Sequence, residues 1–210
     1  MKREPPTQDE ENRLRSLGYR FIAGIDEAGR GALMGPVVAA AIIMPERVNG
    51  GWCNRVRDSK QLKPAERQSL SEVIRENAVS CGIGVMSHDI IDSIGIARAT
   101  RQAMLAAVEE LSREPDYLLI DYFKLPETRI PHHGITRGDC LCFSIACASI
   151  IAKVTRDRLV EELDSRYPGY RFSAHKGYGT AEHLRCLQQN GPSTVHRRTF
   201  MPVRAIIESK

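Results

Sequence analysis

One octapeptide constrains this chain more than any other stretch: Gly24-Ile25-Asp26-Glu27-Ala28-Gly29-Arg30-Gly31, two adjacent carboxylates followed by an arginine between glycines. Apolar runs flank it. Arg20 to Ile25 reads as a short buried strand that ends at the acidic pair, and Val37 to Met44, rich in branched residues and closed by Pro45, reads as a second strand. The pattern is strand, sharp turn, strand. It leaves two charges at the edge of a core, where burial without a partner or a metal is costly. A dinucleotide or phosphate loop would put its glycines at the opening of a helix. Here Gly35-Pro36 and a Val/Ala/Ile run follow instead. Adjacent residues of a regular strand point to opposite faces, so Asp26 and Glu27 can share one site only if the strand ends there.

With 210 residues, 42% of them hydrophobic, the chain can bury a sizeable core. We expect a single domain over 1–210, with about 168–210 forming a helical C-terminal extension. The net charge of +4 permits a polyanionic partner without establishing one. Six cysteines, at 53, 81, 140, 142, 147 and 186, form no pair of Cys-x-x-Cys knuckles. They read as packing residues of a reduced, cytoplasmic protein. The N-terminus lacks the apolar core of a signal peptide, and no later run is long enough to span a membrane.

In chain order, Thr7-x-x-Glu10 has the form of a capping box opening a short helix that Gly18 stops. Asp58-Ser59-Lys60 is a polar turn entering a helix from Pro64 to about Ala78. Cys81 to Met86 is a third strand, and Ile94 to Leu111 a helix. Tyr117 to Ile120 is a fourth strand, apolar throughout, as in a sheet covered on both faces, and it delivers Asp121 at its end. Thr128 to Arg137, with its His132-His133 pair, reads as irregular loop rather than a metal site, and leads to Gly138-Asp139. A long helix follows from Phe143 to about Tyr167. His175 to Thr180 is a glycine-punctuated loop carrying Tyr178, and a helix from Ala181 to Gln189 precedes the basic cluster His196-Arg197-Arg198.

Asp26 with Glu27, Asp121 and Asp139 thus come from separate elements, mostly at strand ends beside glycines. A carboxylate-only set suits Mg²⁺ or Mn²⁺ better than zinc. Two such ions can activate water and stabilise a leaving oxygen in phosphodiester hydrolysis. Taken together, Gly-Ile-Asp-Glu-Ala-Gly-Arg-Gly, Asp58-Ser59-Lys60, Gly138-Asp139, Ser144-Ile145-Ala146 through Ile151-Ala152-Lys153-Val154-Thr155-Arg156-Asp157, and His175-Lys176-Gly177-Tyr178 resemble the ribonuclease HII family from about residue 10 to 206.

The resemblance implies a ribonuclease H-like α/β fold, a central mixed sheet flanked by helices with a small helical C-terminal part. It implies Mn²⁺- or Mg²⁺-dependent cleavage of RNA in RNA-DNA hybrids, and of DNA duplexes at embedded ribonucleotides, by a monomer without membrane attachment. Asp26, Glu27, Asp121 and Asp139 would be the catalytic metal ligands. Gly29, Arg30, Gly31 and Tyr178 would recognise the ribonucleotide and its junction with DNA, and Lys60 would contact phosphate. Members commonly carry Pro after the Gly-Arg-Gly, where this chain has Ala32-Leu33-Met34, and Ala or Ser where it has Cys140, Cys142 and Cys147. The related ribonuclease HIII carries an extra N-terminal substrate-binding domain, whereas only about twenty residues precede the first strand here. The rival from another class is a hybrid-binding protein without turnover, against which the four acids argue.

Overall fold

A computed structural model of the protein describes residues 5–57 and 59–209. Its centre is a five-stranded sheet of β1 (Ile22–Ala28), β2 (Val37–Ile43), β3 (Ser80–Met86), β4 (Tyr117–Asp121) and β5 (His132–Ile135), in the order β3-β2-β1-β4-β5. The β1-β2 and β2-β3 pairs are antiparallel, and β1-β4 and β4-β5 are parallel. The expected mixed sheet is present. All residues of β2 are buried, since helices cover both of its faces.

The helices are α1 (Asp9–Ser16), α2 (Pro64–Asn77), α3 (His88–Ile94), α4 (Ile96–Glu109), α5 (Gly138–Leu141), α6 (Phe143–Arg166), α7 (Phe172–His175), α8 (Ala181–Asn190) and α9 (Met201–Glu208). On one face of the sheet Ala23, Ile25, Ala39 and Ala41 pack with Ala103, Met104 and Ala107 of α4. On the other, Ala40 and Ile42 pack with Ile150 and Ile151 of α6 and with Leu70 and Ile74 of α2. Each such isoleucine or leucine contributes about 1.5–3 kcal/mol by burial. The 24-residue α6 lies along β1 and carries the side chains that later frame the site.

Four expectations need correction. β1 does not end at the acidic pair: β2 keeps it extended, pairing Asp26 with Ala40 and Glu27 with Ala39. The His132-His133 segment is not irregular but forms edge strand β5, and the His132 ring is taken up by the backbones of Leu125 and Ile130. The capping box does not form, because α1 starts one residue later at Asp9 and Glu10 pairs with Arg13 instead. The helix expected from Ile94 is broken at Gly95, whose φ of +82° ends α3 and begins α4. Pro202 lies in the first turn of α9, where proline is favoured. Asp58, expected in the turn before α2, lies outside the described residues.

Candidate active site

β1 and β4 run parallel up to the pair Ile25-Ile120, so the next residues, Asp26 and Asp121, stand abreast where the parallel pairing ends, toward the carboxyl side of both strands. That is where open α/β sheets bind ligands. β4 stops at Asp121 while β1 continues along β2. Beyond that point the edge of β1 is uncovered, which lets Asp26 and Glu27 line one cavity of about 570 Å³ despite their alternation. The condition for a shared site is therefore met by the partner strand ending, not by β1 ending.

Asp139 arrives in the first turn of α5. Two non-glycine residues with left-handed backbone bracket this approach, Tyr122 at φ +62° directly after Asp121 and Arg137 at +61° two before Asp139. Such conformations cost about 1–3 kcal/mol each and persist only where surrounding contacts enforce them. Here they fold the chain back so that the Gly138 N–H donates to Asp121 Oδ1 at 2.7 Å.

The acids repel one another. Burial, reinforced by Glu27 and Asp121, holds the Asp26 carboxyl well above the usual carboxylate range, although hydrogen bonds from Ser149 and the Glu27 N–H oppose the shift. Burial also pushes Glu27 up to about 7, with Asp121 adding to it and Arg30 and Lys60 opposing. Asp121 is raised by burial and by Asp139, against the hydrogen bonds of the Gly138 and Asp139 amides. Among the described residues no three His, Cys, Asp or Glu side chains form a ready-made ligand set for one ion. Ligation by this cluster would require the carboxylates to rotate. The donor set still fits a hard cation: all donors are oxygens, Arg30 and Lys60 offset their mutual repulsion only in part, and Glu27 Oε2 is buried without a hydrogen-bond partner.

The facing wall is basic and aromatic. Gly29, Arg30, Gly31, Lys60 and Tyr178 all line the same cavity as the four acids, so every residue singled out in the sequence converges there. Arg30 reaches Glu27 Oε1 at 3.7 Å and stacks over the Phe123 ring at 4.7 Å. The Tyr178 ring is partly exposed, with Lys153 and Arg156 over it at 5.9 and 5.5 Å. At Gly29, with φ +96°, a Cβ would lie 1.9 Å from Arg156 Nε, so only glycine fits between that guanidinium and the turn.

Sequence reasoning missed Ser59, Arg67, Ser149 and Lys153, which also line the cavity. Ser149 pairs with Ser59 at 3.0 Å, while Lys153 and Arg67 share Asp157 at 2.6 and 3.3 Å. The available signal was a polar stripe at four-residue spacing, Ser149, Lys153, Asp157, that begins within the apolar first half of α6. None of the six cysteines is in a disulfide, and burial raises the thiols of Cys142, to about 12, and Cys147, which keeps them protonated.

The sheet order and the acid cluster at its carboxyl edge define the ribonuclease H-like class of α/β nucleases, and solved structures agree. The ribonuclease H2 of Pyrococcus horikoshii superposes with a TM-score of 0.75 at 25% identity, over 90% of this chain and 97% of that one. The fold is shared by Bst-RNase HIII, solved with Mn²⁺, at a TM-score of 0.72 and 20% identity, over 96% of this chain and 74% of that one. The model of the ribonuclease HII family matches residues 23–203, and a ribonuclease HII of Dehalococcoides mccartyi is 56% identical over 97% of this chain and 96% of its own length. The chain belongs to the ribonuclease HII family, and with it to the metal-dependent endoribonucleases.

Proposed function

We propose that this cleft hydrolyses the RNA strand of RNA-DNA hybrids and also cuts duplex DNA 5′ to embedded ribonucleotides, leaving 5′-phosphate and 3′-hydroxyl ends. Endoribonuclease action on hybrids follows from membership of the family. The finer reading rests on one observation: four carboxylates from three elements share a cavity with a glycine-framed turn and a partly exposed tyrosine. Asp26, Glu27, Asp121 and Asp139 would hold two Mg²⁺ or Mn²⁺ ions. When bound, such ions supply Lewis acidity for activating water and for neutralising charge on the leaving 3′-oxygen. The residues themselves do the orienting. The Gly138 amide fixes Asp121, Ser149 fixes Asp26, and Lys60 and Arg30 carry positive charge to the mouth of the cavity.

Discrimination of RNA from DNA at one nucleotide requires sensing the 2′-hydroxyl, a group that both donates and accepts hydrogen bonds. Gly29 and Gly31 let main chain approach the sugar, and the Tyr178 ring would pack on the adjoining deoxyribose. In the cell such an enzyme would remove ribonucleotides and RNA primers from DNA, acting as a cytoplasmic monomer of one catalytic domain. No helix among the described residues is long and apolar enough to cross a membrane.

Incubation of the pure protein with an end-labelled hybrid, and with a duplex bearing one ribonucleotide, tests the reading. Cleavage in Mg²⁺ or Mn²⁺ that chelator abolishes, with the second duplex cut 5′ to the ribonucleotide, is expected. Tight binding of both without turnover would leave only the hybrid-binding alternative.

A further inference from the structure

The cavity lining does not include Arg197 or His196, yet both recognition elements are fastened to them. Arg197 is fully buried and makes no ion pair among the described residues. Its guanidinium donates only to main-chain carbonyls: Nη2 to Gly29 at 2.8 Å, Nη1 to Arg30 at 2.8 Å and Ala32 at 2.7 Å, and Nε to Gly35 at 3.1 Å. In a trans peptide the C=O and the following N–H point in opposite directions. Drawing the Gly29 and Arg30 carbonyls inward therefore turns the N–H groups of Arg30 and Gly31 away from Arg197. The space beside Gly31 on the side a Cβ would occupy is open. Burial and the nearby Arg156 lower Arg197 to about 9, so it stays cationic at neutral pH.

His196 holds the other element by a relay whose protons can be assigned. The Tyr178 carbonyl can only accept, so His183 Nδ1, 3.0 Å away, carries a hydrogen and donates. His183 Nε2 is then bare and accepts from His196 Nε2–H at 3.1 Å. His196 Nδ1 is in turn bare, and it accepts from both the N–H and the hydroxyl of Ser193, at 3.0 and 2.8 Å. One tautomer of each ring satisfies every contact. His183 and His196 are 0% and 1% exposed, and neutral. Between the two elements, residues 32–35 are bonded on one side to Gly177 and Tyr178 and on the other to Val195 and Arg197.

We infer that the adjacent residues His196 and Arg197 are a positioning pair that sets the two recognition elements in register, Arg197 aiming the Arg30 and Gly31 amides at the substrate and His196, through the His183 tautomer, fixing the backbone of Tyr178. The inference rests on the reading above that this turn and this tyrosine touch the ribonucleotide. It gives the 193–198 segment a role in specificity although its side chains lie outside the cavity.

Paired variants test it. Arg197→Lys keeps the charge but cannot span four carbonyls. His183→Asn places an amide donor near Nδ1 and keeps the bond to Tyr178, whereas His183→Gln places its amide near Nε2 and loses it. The measurements are steady-state cleavage of a continuous hybrid and of a one-ribonucleotide duplex, Mn²⁺ affinity by calorimetry, thermal stability, and the ring tautomers of His183 and His196 by long-range ¹H-¹⁵N correlation. Arg197→Lys should lose about a hundredfold in kcat/KM on the one-ribonucleotide duplex, the scale of a misplacement near 1 Å, with Mn²⁺ affinity unchanged. His183→Gln should lose preference for that duplex and His183→Asn should keep it, at similar stability.

Preference unchanged in both His183 variants, or His183 protonated on Nε2, would overturn the relay. Arg197→Lys losses equal on both substrates and matched by lost stability would return Arg197 to a purely structural role. Tyr178→Ala and Gly31→Ala, measured alongside, separate the two levels. If they leave both substrates unaffected, the reading of the recognition elements fails. If they impair cleavage while the positioning variants do not, only the present inference fails.

Discussion

The two walls of the cleft handle buried charge in opposite ways. On the acid wall, Asp26, Glu27 and Asp121 are drawn together with only partial neutralisation from Arg30 and Lys60, and burial and mutual repulsion raise their carboxyls. Beneath the basic wall, Arg156 and Arg197 are fully buried, but carbonyls of Pro36, Met34 and Lys176 take up the first, and those of Gly29, Arg30, Ala32 and Gly35 the second. One wall is built to receive cations, and the other is complete as it stands. Change on the acid wall should therefore cost chemistry more than folding, and change beneath the basic wall should cost both.

The largest expected effect breaks the acid wall at one atom. Asp121→Asn keeps shape and can still accept from the Gly138 amide, but removes a negative charge. Metal-assisted transition-state stabilisation is worth several kcal/mol, so kcat on a hybrid should fall by about a thousandfold or more, with binding of the hybrid nearly intact. Near-normal turnover in Mg²⁺ would remove Asp121 from the ligand set.

How early each wall became legible follows from the range of its bonds. Asp121 announces itself locally, as a carboxylate ending an apolar strand, and the Asp26-Glu27 pair does the same. The β1 boundary was misjudged because extension past Asp26 depends on pairing with β2, which local sequence does not encode. β5 was missed because its four residues, His132 to Ile135, are half-polar and earn no strand pattern without β4 beside them. Arg197 was only part of a basic cluster in the sequence, since its bond to Gly29 spans 168 positions. No spacing rule reaches so far.

Acidification should sharpen the comparison, because the walls respond with opposite sign. His183 and His196 are lowered by burial to about 4 and about 3, against an ordinary value near 6.5. Their contribution is complete above pH 6.5 and is lost as the pH falls, because the unfolded chain takes up protons that the folded one refuses. At pH 5 each would cost up to about 2 kcal/mol. Glu27, raised to about 7, works the other way: the folded chain protonates first, so stability rises as pH falls from about 7. In a triple variant Asp26→Asn, Glu27→Gln, Asp121→Asn the opposing contribution is gone, and urea melts at pH 7 and pH 5 should differ by up to about 4 kcal/mol. Equal melts at the two pH values would mean the histidine relay is not held neutral.

The smallest effect comes from the second of two glycines only two residues apart. Gly29→Ala meets both a positive φ and the Arg156 guanidinium. Strain of about 1–3 kcal/mol together with overpacking of about 1–3 kcal/mol should lower Tm by about 4–24 °C for a chain of this size. Gly31 is exposed, and an added Cβ meets nothing within 4 Å. Gly31→Ala should therefore leave stability within about 0.5 kcal/mol of the parent. If main chain at Gly31 approaches the sugar, the new methyl stands in the way, and the loss of about one hydrogen bond would weaken binding of a one-ribonucleotide duplex by about fivefold. Fluorescence anisotropy with an uncleavable duplex, in parallel with thermal melts, reads both quantities. A stability loss at Gly31 as large as at Gly29 would show that the turn is packed on both sides. Unchanged affinity with unchanged stability would move substrate recognition off Gly31 and onto Arg30 and Tyr178.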